Sequence, residues 1–400
     1  KPPTRTGKGC GRGESVRPAY EKMASTRASA KAWARRLASV VPPKTRTRGM
    51  AEPWLSIIGM GEDGLHGLSD GSRLALAQAR HVVGGPRHLA LAQVGERGVA
   101  WPVPFDIAPV LALRGQPVTV LASGDPFWFG AGSSLAQHLT PGEWQVFPAP
   151  STFAWAAARL GWALENTHCF GLHATPFTVT RQALHVGQRL LCLLRDGTAV
   201  ADYAQWLTAQ GAGDSRVWVL EALGGPRERV RKATARSCDF ADVVAPVAIA
   251  VEVVGLKGMA RTPGRPDADF AHDGQITKSP VRALTLAALA PRQGEHLWDL
   301  GAGSGSIAVE WCLAGGNATA VEQHAGRVAN IQANAQQFGV AATLTVMHGP
   351  ALQALQNLPR PDAVFVGGGF DLALFEALRA VVPSAVSYTH LRAHETRHDL

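Results

Sequence analysis

The residues best suited to chemistry lie in His296-Leu-Trp-Asp-Leu-Gly-Ala-Gly-Ser-Gly-Ser-Ile-Ala308, where three alternating glycines follow an acid. The apolar run up to Asp299 reads as a strand, and a helix is expected from Ile307. Glycines at such a junction let backbone amides approach a ligand closely. At the start of a helix those amides and the helix dipole favour a carboxylate or a phosphate. A nicotinamide dinucleotide loop needs Gly-x-Gly-x-x-Gly, but counting from Gly301 the sixth place is Ser306. Asp299 ahead of the first glycine favours methyl transfer. Ala318-Thr-Ala-Val-Glu322 then reads as a second strand ending in an acid about 20 residues on, where an acceptor can bind both ribose hydroxyls. The alternative is a structural strand-glycine-helix turn of the kind any doubly wound sheet contains.

Weaker signals stand upstream. Trp54–Ile58 reads as a strand running into Gly59-Met-Gly-Glu-Asp-Gly64, and Ser69 caps a helix reaching Ala79. Strands are expected at His81–Gly84 and from Pro117, the latter breaking into Ser123-Gly-Asp-Pro126, and in open α/β sheets ligands bind at that carboxyl end. Pro148-Ala-Pro-Ser-Thr-Phe153 leads into a helix over Ala154–Leu160. Beyond it the pattern predicts a strand at Leu190–Leu194, a helix over Tyr203–Gln210, and a strand from Val217 turning into a basic helix. The charged run Arg227–Arg231 would be the solvated face of that helix. Ala245–Val254 reads as a strand, Gly258–Gly274 as a Pro/Gly/Asp-rich linker, Arg327–Phe338 as a helix and Ala342–Met347 as a strand. Strands alternating with helices make the fold class α/β.

These elements need room. A chain of 400 residues, 46% of them apolar, suggests two or three units, and no apolar run approaches the roughly 20 residues of a membrane span. The five cysteines are scattered, with no Cys-x-x-Cys pair and no His at metal-ligand spacing, so neither a disulfide framework nor a metal site is indicated and the cytoplasm fits best. The net charge of +8 suggests nucleic acid only until its distribution is considered. Residues 1–49 hold thirteen Lys or Arg against two Glu, which leaves a net of −3 over the rest. That Pro- and Arg-rich leader reads as disordered and as translated upstream sequence ahead of a start at Met50. A basic nucleic-acid arm or a transit peptide is the alternative. At the other end, Val386–Leu400 resembles a translated sequencing adapter and is expected to take no part in the fold.

Gly59-x-Gly-x-x-Gly64, Ser123-Gly-Asp-Pro126 and Pro150-Ser-Thr-Phe153 together resemble the tetrapyrrole methylase family, and Gly84-Gly-Pro-Arg-His-Leu89 its branch acting at C5 of a corrin precursor. The resemblance implies two α/β halves (class III) holding S-adenosylmethionine beside Gly59, Gly124, Asp125, Ser151 and Thr152. Glu62 stands where the family often has Pro, so a softer loop is expected. Thr277-Lys278, the glycine loop and Phe365-Val-Gly-Gly368 resemble the corrin C15-methyltransferase/decarboxylase module, a Rossmann-like class I domain. That resemblance implies a second S-adenosylmethionine site lined by Thr277, Gly301, Ala302, Gly303, Ser304, Gly305, Glu322 and Ala351. Pro350 and Ala351 stand where a carboxylate is often found, so contact with the adenine is in question.

The expected organisation is a leader over 1–49, a C5-methylating domain over 50–256, a linker over 257–274, a C15-methylating and decarboxylating domain over 275–385, and the foreign tail over 386–400. The second sheet would then lack three strands and be truncated. The implied partner is a polycarboxylated tetrapyrrole, with no nucleic acid and no membrane, in a homo-oligomer. Both transfers join an electron-rich ring carbon to a sulfonium methyl and neutralise charge, so no enzyme nucleophile is needed. Alignment in a dry cleft supplies on the order of 7 to 11 kcal/mol. Arg87, His88, Arg261, Lys278 and Arg282 are the candidate clamps for substrate carboxylates.

Overall fold

A computed structural model describes residues 53–382 and the backbone of 387–390. The basic leader, Met50 and the rest of the expected foreign tail lie outside the described residues.

The first sheet is built from β1 (Leu55–Met60), β2 (His81–Gly84), β3 (Gly98–Ala100), β4 (Val118–Ser123) and β5 (Trp144–Phe147). All are parallel, in the order β3-β2-β4-β1-β5. Every residue of β1 is buried, as a strand covered on both faces requires. Helices α1 (Asp70–Gln78), α2 (Pro86–Leu91), α3 (Ala131–Ala136) and α4 (Thr152–Leu160) accompany these strands. Ser69 caps α1 as expected, accepting from Ser72 N at 3.2 Å.

A second sheet, ordered β6-β7-β10-β8-β9, holds β6 (Thr167–Leu172), β7 (Arg189–Leu194), β8 (Arg216–Glu221), β9 (Arg229–Thr234) and β10 (Val247–Glu252). Only β6 and β7 are parallel in it. Two expectations change here. The helix placed at Tyr203–Gln210 begins earlier, as α5 (Thr198–Leu207). The basic helix expected after the glycine turn is the strand β9. Arg229 and Arg231 lie two apart, so one strand face presents both to Glu221 and Asp242, with Arg229 to Glu221 at 2.7 Å and Arg231 to Glu221 at 3.0 Å. A helix would turn them about 200° apart.

The third sheet is parallel and ordered β13-β12-β11-β14-β15, from β11 (His296–Leu300), β12 (Asn317–Glu322), β13 (Leu344–His348), β14 (Ala363–Val366) and β15 (Ser387–His390). Helices α6 (Ser279–Leu289), α7 (Ser306–Leu313), α8 (Ala325–Gln337) and α9 (Leu372–Val381) accompany it. The order reverses beside β11, which places a crevice at its carboxyl end. Strand β15 comes from the segment set outside the fold, pairing Ala363 with Ser387. Without it β14 would present an open edge.

Arg282 anchors this part of the chain. Its side chain is wholly buried, and Nε donates to Glu310 Oε1 at 2.7 Å while the remaining nitrogens reach Asp267, Arg265 O and Thr277 O. The Glu310 carboxylate also accepts from Gly264 N at 2.6 Å and Arg265 N at 3.0 Å. Arg282 therefore ties α6, α7 and the preceding linker together and is not available to clamp a substrate. Lys278, another candidate clamp, lies 3.6 Å from Asp267. Replacing Arg282 with Met leaves the buried Glu310 charge uncompensated and is expected to cost about 3–5 kcal/mol of unfolding free energy, measured by denaturant titration of the full chain.

Candidate functional site

The first site forms where β1, β4 and the segment after β5 converge. Gly124 N donates to Met60 O at 3.1 Å, and Gly124 O accepts from Ala149 N at 3.2 Å. This leaves no space for side chains. A Cβ on Gly59 would overlap Gly124 O, and one on Gly124, whose φ is +53°, would lie 2.7 Å from Ser151 Cα. Gly59, Gly124 and Ser151, singled out from separate motifs, are thus in direct contact. Ser151 caps α4 by accepting from Ala154 N at 3.1 Å, and Asp125 closes a turn by accepting from Phe127 N at 2.8 Å. A cavity of about 240 Å³ opens beside them, with Ser151, Thr152, Ser123 and His88 on its wall. Gly59, Gly124 and Asp125 are not on that wall.

Glu62 departs from the expectation of a soft loop. It is 8% exposed, its carboxylate meets Arg87, and Oε2 lies 3.3 Å from Arg227 Nη2. A Cβ on Gly225 would overlap it. Two guanidiniums and a close-packed glycine hold the loop that a proline would have stiffened, and they bridge it from the first sheet to the turn before β9.

The motif Gly85-Pro-Arg-His88 enters the same cavity. Arg87 Nη2 lies 2.8 Å from His88 Nε2 and 2.9 Å from Ser123 Oγ, and Nε2 lies 2.9 Å from that hydroxyl. A guanidinium can only donate, so Nε2 accepts and the proton of the neutral ring sits on Nδ1. His88 Nδ1 is buried and has no partner. Burial, then the Arg87 charge, pulls the imidazole down to about 4. The outer wall was missed at the level of sequence, although Phe127-Trp-Phe129 directly follows the Ser-Gly-Asp-Pro motif. Trp128 packs 4.9 Å from Phe153, and Phe129 adopts φ +56°, which is strained for a bulky residue. Its ring rests on Gly171, where a Cβ would come within 3.0 Å. Trp101 and Phe105 complete an aromatic rim.

The second site lies at the end of β11. Gly301, Gly303 and Gly305 have φ of +67°, +59° and +70°, and a Cβ on Gly301 would lie 2.5 Å from Gly368 O. Much of the loop turns inward. Gly301 N and Ala302 N both donate to Val321 O, Gly305 N donates to Ala302 O, and Gly303 N donates to Glu322 Oε2 at 2.8 Å. The amides without acceptors among the described residues are those of Ser304, Ser306 and Ile307 at the start of α7. Buried Ser304 Oγ and Asp299 Oδ1 also lack partners. Asp299 Oδ2 accepts from Ala308 N at 3.2 Å, and burial raises the carboxyl to about 7, with Glu322 contributing. Glu322 is buried between two amides, Gly303 N and His324 N, yet each oxygen keeps a free lone pair.

Gly349 N donates to Glu322 O at 3.0 Å, which brings Pro350 and Ala351 to the same strand ends. Thr277 is half-buried just before α6, and its carbonyl is taken by Arg282. Asn334 was missed in the sequence because a polar residue inside a polar helix gives no signal. It is wholly buried and donates to Ser304 O at 2.9 Å and Ala271 O at 3.0 Å, fixing the loop from behind.

An anion-seeking helix start, an acid with free lone pairs and orphaned buried oxygens meet at one strand end, in a chain of the methyltransferase class. Residues 55–239 match the family model of tetrapyrrole (corrin/porphyrin) methylases, and residues 268–389 match a precorrin methyltransferase domain. A precorrin-6Y C(5,15)-methyltransferase [decarboxylating] from Sinorhizobium sp is 48% identical over 330 residues, covering 80% of this chain and 79% of the relative. One from Mycobacterium tuberculosis is 42% identical over 322 residues, covering 78% and 80%. The solved C-terminal domain of a precorrin-6Y C5,15-methyltransferase from Rhodobacter capsulatus is 56% identical over 31% of this chain and 68% of that one, with a TM-score of 0.31. The chain belongs to the precorrin-6Y C5,15-methyltransferase (decarboxylating) family.

Two titrations follow with opposite signs. Asp299 holds its proton in the folded state up to about pH 7 but only to about 4 when unfolded, so its contribution to stability falls as pH rises between those values. The stability difference between wild type and Asp299→Asn should therefore move against wild type from pH 5 to pH 8 in denaturant titrations. His88, depressed to about 4, contributes stability that falls as pH drops from about 6.5 toward 4. Nitrogen-15 NMR at pH 6 should find its ring neutral and protonated at Nδ1, and an imidazolium there would contradict the assignment.

Proposed function

We propose that the chain uses S-adenosylmethionine to methylate precorrin-6Y at C5 and C15 and to remove the ring C acetate carboxyl as carbon dioxide. In this reading the C5 site lies in the domain over 50–256 and the C15 site in that over 275–385, with residues 257–274 joining them. The observation that carries it is the recurrence, in two sheets of different order, of a strand end with no room for side chains beside a polar recess.

In the first site Gly59, Gly124 and Asp125 shape the recess, while Ser151 and Thr152 line it. In the second, the Ser304, Ser306 and Ile307 amides suit a carboxylate, Glu322 a ribose diol, and Asp299 Oδ1 a cationic amino group. Thr277, Gly301, Ala302, Gly303, Gly305 and Ala351 complete that pocket. The cofactor, when bound, supplies an electrophilic methyl on a sulfonium. The chain orients the macrocycle and excludes water. The aromatic rim of Trp101, Phe105, Trp128 and Phe129 offers apolar faces to a flat ring. Neutral His88, its Nδ1–H buried, adds no charge to the recess. The thiols of Cys169, Cys192, Cys238 and Cys312 are free, which supports a cytoplasmic setting.

Incubating the full chain with precorrin-6Y and methyl-labelled S-adenosylmethionine should place two labelled methyls on each macrocycle and release one carbon dioxide. Transfer of no methyl would overturn the reading.

A further inference from the structure

A wide cavity lies outside both glycine-floored sites. It measures about 960 Å³ and includes none of the residues assigned to either cofactor. One wall comes from β6 and the segment after it, through His168, Phe170, Gln182 and His185. The other comes from the linker and helices α6 and α7, through Arg261, Arg265, Leu286 and Leu313. The volume is at the upper end for small-molecule sites.

Its chemistry is asymmetric. The acid on the wall, Glu310, is fully engaged by Arg282 and two backbone amides. Arg261, offered by its sequence as a carboxylate clamp, reaches neither cofactor site but opens here, and it has no ion-pair partner among the described residues. Arg265 donates to Ala260 O at 2.5 Å and lies 5.5 Å from the Phe338 ring, with no side-chain carboxylate paired to it. Arg261 and Arg265 thus border apolar surface from Phe170, Leu286 and Leu313, a lining that suits a broad apolar ring with carboxylates on its periphery.

Position agrees with chemistry. Strand β6 leaves this cavity at His168 and Phe170 and ends beside His173, which lines the first site. The linker leaves it at Arg265 and reaches the second site at Gln275, whose carbonyl would lie 3.4 Å from a Cβ on Gly303. We propose that this cavity is a third binding site, which holds the polycarboxylated macrocycle between its two methylations so that the singly methylated species stays on the protein.

The inference rests on the proposed activity, and the test separates the two. Ala287 is exposed on the cavity wall, so Ala287→Trp fills the space from outside the core, while Gln182→Glu adds a like charge opposite the substrate carboxylates. Neither residue belongs to a cofactor site. Full-length wild type and variants are given precorrin-6Y and labelled S-adenosylmethionine, and the macrocycle free in solution is sorted by methyl count during turnover. Each variant should release several-fold more singly methylated macrocycle than wild type, with both methyls still transferred at long times. Equal release by wild type and a folded variant overturns the third site and leaves the proposed activity standing. Absence of any methyl transfer by wild type overturns both. Should Ala287→Trp not fold, Gln182→Glu carries the comparison alone.

Discussion

The contact on which the rest depends is backbone against backbone at the ends of parallel strands. Gly59 meets Gly124, and Gly301 meets Gly368, at distances that exclude a Cβ. Parallel strands place their carboxyl ends side by side, and where those ends close without side chains a recess can open above them. Both sites obey this constraint although their sheets differ in order, β3-β2-β4-β1-β5 in one and β13-β12-β11-β14-β15 in the other. The polar groups then fall into place at the starts of α4 and α7, where helix geometry leaves amides unsatisfied.

Backbone closure alone would leave these loops mobile, and buried charge holds them. Glu62 lies between Arg87 and Arg227 and joins the first glycine loop to the second sheet. Arg282 and Glu310 join the linker to α6 and α7, while Asn334 braces the second glycine loop. A buried ion pair adds little net stability over an apolar substitute, since desolvation cancels most of the attraction. Its consequence here is geometric, because each group is satisfied in one arrangement only.

The His88 and Asp299 environments show how burial sets protonation in each recess. Desolvation favours the neutral form of both, lowering the imidazole and raising the carboxyl. Arg87 stands beside the first recess, and Arg261 and Arg265 line the wide cavity between β6 and the linker.

Local pattern determined most of the elements and the glycine loops. Short-range rules govern these features: Ser69 and Ser151 cap the helices that follow them, and glycines mark the turns after β1, β4 and β11. Family resemblance added the order of the two units. What pattern could not reveal were pairings between distant segments. Glu62 reads as a residue that softens its loop until Arg227, 165 residues away, reaches it. Arg229 and Arg231 read as a helix face until Glu221 and Asp242 select a strand, and Arg282 reads as a substrate clamp until Glu310 buries it. A charged side chain carries the same local signal whether it meets water, a ligand or a buried partner. Only the tertiary structure decides, because that choice depends on which segments desolvate it.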